Sequence, residues 1–181
     1  MTLGLKALVI LLIVGTAIAA WAASGTIAVM IDYGLAVLAP TWFLPAAVLI
    51  CSVVSLAIGS SWATAATIGV ALMGIGGALG VPPAMSAGAI LSGSYFGDKM
   101  SPLSDTTNLA PGIAGAELFD HIHAMLYTTI PAYALSLIGF AGMGLVVSRD
   151  ASAFDPASVE VLRTALQAGQ DLSPWLLAPP V

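Results

Sequence analysis

The sequence predicts an all-α integral membrane protein, polytopic, with a re-entrant helical hairpin and one broken, locally unwound transmembrane helix. Three observations carry this expectation. The first is composition: of 181 residues, 59% are hydrophobic and 7% charged, against about 25% charged in soluble domains, and the mean hydropathy is +1.03. The second is residues 93–111, Gly-Ser-Tyr-Phe-Gly-Asp-Lys-Met-Ser-Pro-Leu-Ser-Asp-Thr-Thr-Asn-Leu-Ala-Pro, which set Asp98, Lys99 and Asp105 inside an apolar stretch. Near the bilayer centre each such charge costs roughly 2.5–3.5 kcal/mol, so three facing lipid would cost about 8–10 kcal/mol. They must face protein or a water-filled cavity, where such residues handle an ion, a proton or a substrate. The third is a pair of short apolar arms around a small, hydroxyl-bearing tip.

The elements follow in order. Residues 5–23 have the ~20-residue length of a spanning helix. They mimic a signal peptide, a reading set aside because further membrane segments follow. Residues 26–39, with Asp32 and Tyr33, are too short to span and are expected as an interfacial or tilted half-helix. Pro40 and Pro45 punctuate the next entry, with Trp42 and Phe43 as interface anchors. Residues 44–58 and 68–79 are the two arms. Between them Ser60, Ser61, Thr64 and Thr67 gather hydroxyls at one depth, the pattern of a re-entrant hairpin; one long helix with small residues for close packing is the alternative.

Glycines from Gly74 to Gly80, followed by Pro82 and Pro83, predict a turn and not a phosphate loop, since no strand precedes them and the spacing is wrong. Residues 84–96 are expected as a half-helix, 97–112 as its unwound polar continuation, 114–124 as an amphipathic interfacial helix, and 125–147 as a spanning helix. Residues 1–147 would form the membrane transport domain, 148–172 a hydrophilic connector, and 173–181 the start of a further membrane segment.

Several function classes are excluded. Four Lys and Arg leave no nucleic-acid footprint. The lone Cys51 rules out a disulfide framework and reads as a small buried hydrophobe. An intramembrane aspartyl protease would carry Gly-x-Gly-Asp, and here Tyr95 stands at the first glycine. Asp105 also follows Asp98 too closely in the same segment to resemble the paired-helix arrangement of such a protease. The chain is therefore not read as an enzyme. His121 and His123, two apart beside Asp120, read as a solvated face, with pH sensing left open.

From Trp21 to about Phe140 the chain resembles the NhaC-type sodium/proton antiporter family. The matching runs are Pro40-Thr-Trp-Phe-Leu-Pro45, Ser55-Leu-Ala-Ile-Gly-Ser-Ser-Trp62, Gly69-Val-Ala-Leu-Met-Gly-Ile-Gly76, Tyr127-Thr-Thr-Ile-Pro131 and, most specifically, Gly97-Asp-Lys-Met-Ser-Pro-Leu-Ser-Asp-Thr-Thr-Asn-Leu-Ala-Pro111. The resemblance implies a polytopic helical transporter half, one of two inverted repeats, with the C-terminal half of the same protein missing. It implies Na+ and H+ as transported ions and no cofactor. It also implies a lipid bilayer as environment, the cytoplasmic membrane as location, and a homo-oligomer as an open option. Relatives that exchange organic acids or amino acids share parts of these motifs, so an organic exchanger stays open, as does a truncated fragment without transport.

A sodium ion is hard and takes oxygen ligands. The tip offers Ser60, Ser61, Thr64 and Thr67; the broken helix offers Asp98, Ser101, Ser104, Asp105, Thr106, Thr107 and Asn108, plus carbonyls freed by Pro102 and Pro111. An aspartate taken out of water holds its proton more tightly and releases it to a bound cation, the competition an antiporter needs. Asp105 is placed first for this role, because hydroxyls and an amide adjoin it, and Asp98 second. Na+ is assigned to Asp105, Ser61, Thr64 and Thr106. Lys99 would neutralise a carboxylate when the cation is absent, with Asp105 or Asp32 as partner. The plainer alternatives are a buried Asp98–Lys99 pair that only fixes the break, Asp105 as a helix cap, and Asp32 as an interfacial residue.

Overall fold

The computed structural model describes residues 19–149, together with 12, 13, 15, 16, 157, 160, 161 and 164. Every regular element among the described residues is an α-helix. The expected first spanning helix is helical wherever it is described. Of the expected connector only 148, 149, 157, 160, 161 and 164 are described, and 173–181 lie outside the described residues.

Helix α1 is Thr26–Val37, entered through Gly25 at φ 83°. Its 12 residues rise about 18 Å, too little to span. Helix α2, Pro40–Ile58, starts with proline at its first position, where the missing N–H costs nothing. At 19 residues it is long and apolar enough to cross a membrane. Gly59 ends it in the left-handed region (φ 74°) with its N–H on the Ser55 carbonyl at 2.7 Å. A side chain there would also meet the Leu103 carbonyl carbon at 2.7 Å, so only glycine fits.

The tip between the arms is itself helical. Ser60 caps α3, Ser61–Ala66, by accepting the Ala63 N–H, and Thr67 separates it from α4, Ile68–Ala78. The glycine-rich stretch expected as a turn is mostly helix: Gly74, Gly76 and Gly77 lie in α4, and the turn is confined to 79–82. Packing explains this. A Cβ on Gly76 would strike Phe43 and Ser86, so the glycine serves close helix approach and not chain reversal.

Helix α5 runs Pro83–Met100, and α6 runs Asp105–Ala114. This corrects the expected break at 97–112: only residues 101–104 are non-helical. Ser101 precedes Pro102 and is held extended (ψ 126°), as the proline ring requires. Ser104 then caps a new helix at once. A second correction concerns α7, a single helix Leu118–Arg149 that includes Pro131. The expected interfacial helix 114–124 and spanning helix 125–147 are therefore one element. At 32 residues it rises about 48 Å, well beyond the ~30 Å hydrocarbon core.

Helices α2 and α5 form the principal pair. Gly93 lies against the Val48 carbonyl, Gly97 against the Ser52 carbonyl, and the Ser101 hydroxyl donates to the Leu56 carbonyl at 2.7 Å. Partners rise together along both chains, so the helices run parallel. The two glycines, four apart, let the backbones touch, the small-residue packing typical of membrane helices. Helix α4 runs back against α5, with Gly69 on Ile90 and Gly76 on Ser86. Helix α7 is antiparallel to α2 and α5, with Gly144 against Thr41, Tyr133 bonded to Ser52 and stacked on Phe96, and Phe140 over Gly88. The core is Phe43, Leu44, Ala47, Val48 and Cys51 of α2 packed on Leu72, Ile75, Ala89, Ile90 and Phe140.

Candidate functional site

The parallel register brings the end of α2, the start of α3, the end of α5 and the start of α6 to one level. Asp98 sits there in the last turn of α5, 7% exposed. Its carboxylate is held on both sides. The Ser61 hydroxyl donates to Oδ2 at 2.7 Å and the Ser104 hydroxyl to Oδ1 at 2.5 Å. Thr107 Oγ1 donates to the Asp98 and Lys99 carbonyls, both at 3.1 Å. Ser104 also accepts the Thr107 N–H at 3.5 Å and lies 2.9 Å from Thr106 Oγ1. Asn108 Nδ2 donates to the Pro102 and Ser104 carbonyls at 2.7 Å, closing the break from the far side. Ser101 additionally accepts the Leu103 N–H at 3.2 Å.

The residues singled out from sequence thus divide. Asp98, Ser61, Ser101, Ser104, Thr106, Thr107 and Asn108 share one hydrogen-bonded network. Ser60 borders it as the cap of α3. Thr64 is buried, but its hydroxyl donates to the Ser60 carbonyl of its own helix, and Thr67 does the same to Ala63. Asp105 is exposed on the first turn of α6, where its carboxylate accepts the adjacent Thr106 N–H at 2.9 Å. Lys99 is exposed too. Its ammonium lies over the Tyr95 ring, 5.3 Å from the centroid, and turns away from the Asp98 carboxylate. Neighbours on a helix point about 100° apart, which is why the Asp98 carboxylate meets Ser61 and Ser104 while Lys99 lies over Tyr95. Asp32 is buried on α1. His121 is half-buried and His123 exposed near the start of α7.

Other polar groups escaped the sequence reading. Ser52 bonds Tyr133 at 2.7 Å, and Ser55 donates to the Ser94 carbonyl at 2.5 Å, both on the α2–α5 seam beside Gly97. The signal was faint: small residues at three- and four-residue spacing in apolar helices, usually a packing device. Among the described residues no group of three or more His, Cys, Asp and Glu could hold a metal ion. The donors around Asp98 are carboxylate, hydroxyl and carbonyl oxygens, the set that suits a hard cation.

A buried carboxylate ringed by hydroxyls at a helix break, in an apolar helical bundle, is the furniture of an ion-handling membrane protein. Comparison with known proteins carries this to a family. The Na+/H+ antiporter family profile matches residues 93–181. The chain is 46% identical to the Na(+)/H(+) antiporter NhaC of Alkalihalophilus pseudofirmus, over 99% of this chain and 38% of the relative. It is 44% identical to the malate-2H(+)/Na(+)-lactate antiporter of Bacillus subtilis, over 98% of this chain and 38% of the relative. It is also 44% identical to the arginine/ornithine antiporter ArcD of Halobacterium salinarum, over 98% of this chain and 36% of the relative. The chain belongs to the NhaC-type sodium/proton antiporter family. It spans under two fifths of the length of these relatives. No solved structure matches it. Relatives named as antiporters are transporters, which supports a membrane protein and a transporter over an enzyme.

Proposed function

We propose that this chain is part of a secondary active antiporter that exchanges Na+ against H+ across the cytoplasmic membrane, with Asp98 as the group that cation and proton share. The observation that carries the proposal is the burial of Asp98 with both carboxylate oxygens held by hydroxyls from different helices, Ser61 and Ser104. Its location, at the one level where two parallel helices both break, fits a midplane site of half-helices. In this reading α2 and α4 are the arms of a re-entrant hairpin, α5 and α6 are the halves of a broken transmembrane helix, and a second inverted repeat in the longer protein completes the site. Asp98 displaces Asp105 from first place, because Asp105 is exposed and engaged as a helix-start acid.

Everted membrane vesicles carrying the complete gene product test this, with a pH-sensitive dye reading the proton gradient. Added NaCl collapses the gradient, and Asp98→Asn abolishes the response at equal expression. Sodium-driven proton movement that survives Asp98→Asn overturns the site.

The malate/lactate and arginine/ornithine antiporters, as similar as the Na+/H+ exchangers, favour a second reading in which an organic acid or amino acid is exchanged. A gradient that ignores Na+ but responds to such a solute selects it.

A further inference from the structure

Two serines touch the Asp98 carboxylate, and they are not equivalent. A serine hydroxyl has one proton to donate and two lone pairs to accept with. Ser104 gives its proton to Oδ1 of Asp98. Its contact with Thr106 Oγ1 at 2.9 Å must therefore run the other way, with Thr106 as donor. The Thr107 N–H occupies the remaining lone pair. In this arrangement Ser104 uses its proton and both lone pairs, so freeing a lone pair toward Oδ1 means reversing its bond with Thr106 or giving up the cap of α6. Ser61 makes only the bond to Oδ2 among the described residues. Among the described residues nothing donates to its lone pairs, it is half-buried, and it opens α3, whose cap is the neighbouring Ser60.

Resting on the proposed role of Asp98, we infer that Ser61 is the hydroxyl that ligates the transported cation, while Ser104 is a positioning residue that never binds it. The cation enters beside Oδ2. Ser61 rotates its proton away and offers a lone pair, so cation, carboxylate oxygen and hydroxyl oxygen meet without loss of any helix cap. On the Oδ1 side Ser104 can do the same only by reversing its bond with Thr106, whereas Ser61 breaks no second bond. Ser104 instead fixes the plane of the carboxylate and ties it to the start of α6. A small, hard monovalent cation fits this asymmetric pair of oxygen donors, one charged and one neutral.

The test uses the complete protein, with sodium-dependent exchange in vesicles and sodium-dependent thermal stabilisation of the purified protein as independent readouts. Ser61→Ala raises the half-saturating Na+ about tenfold in both readouts, the loss of roughly one hydrogen-bond-sized contact, and Ser61→Thr restores it. Ser104→Ala slows exchange but leaves the Na+ needed for half-maximal stabilisation within about twofold of the parent, and Ser104→Thr recovers the rate. The inference is overturned if Ser104→Ala raises the Na+ requirement as much as Ser61→Ala, or if Ser61→Ala leaves it unchanged. The underlying reading fails differently: Asp98→Asn would then keep its Na+-dependent stabilisation, whatever the serines do.

Discussion

At the scale of single residues, the decisive distinction is between two aspartates seven positions apart. Both stand in the same polar run, and sequence proximity to hydroxyls favours Asp105. The folded chain buries Asp98 between Ser61 and Ser104 and leaves Asp105 exposed at the start of a new helix. Asp105→Asn should therefore keep most of the exchange rate and cost stability only the ~0.3–1 kcal/mol of a helix-start acid. A loss of exchange equal to that of Asp98→Asn in the vesicle assay would return Asp105 to first place. The sequence showed that charge was buried somewhere in 93–111, because composition alone makes lipid exposure untenable. It could not show which carboxylate, since rotating one residue along a helix turns a side chain from seam to surface. That rotation depends on where the break falls, and the break proved four residues long instead of sixteen.

At the scale of elements, signals carried by proline and capping residues were legible, and those carried by glycine were ambiguous. Ser-Pro at 101–102 and Ser-Asp-Thr-Thr at 104–107 mark a helix end and a helix start, inside a run that was expected to be unwound throughout. Glycine at 74–77 looked like a turn because glycine also serves turns. Only the approach of Phe43 and Ser86 reveals its packing role. Pro131 gave the opposite lesson, lying within α7 without ending it. Gly97 is the sharpest element-scale test. A methyl group there meets the Ser52 carbonyl, the Leu56 amide nitrogen and Ser55 Cβ at once. Gly97→Ala should force α2 and α5 apart and cost about 1–3 kcal/mol, the usual price of overpacking. Thermal melting in detergent measures it, and an unchanged melting temperature would show that the seam yields freely.

At the scale of the whole molecule, α7 fixes the frame. It is about 48 Å long and its first turns carry Asp120, His121 and His123. If Pro40–Ile58 and the apolar body of α7 cross the bilayer, that polar beginning stands in the headgroup region or beyond it. Asp120→Cys and His123→Cys should then react with a membrane-impermeant maleimide in intact cells or inverted vesicles, and Leu135→Cys should react in neither. Cys51 is fully buried in the core and contributes no labelling of its own. Labelling of Leu135→Cys would place α7 along a water-filled surface and revise the frame.

The parallel seam has a mechanical consequence. Backbones that touch at Gly93 and Gly97 have no side-chain layer between them to act as a bearing. The Ser101 hydroxyl pins one break to the carbonyl of Leu56 beside the other. Such a pair cannot slide or counter-rotate without tearing contacts that have no intermediate state. Any displacement of α2 therefore carries α5 with it, and the hydroxyls around Asp98 at their joint end travel as one unit.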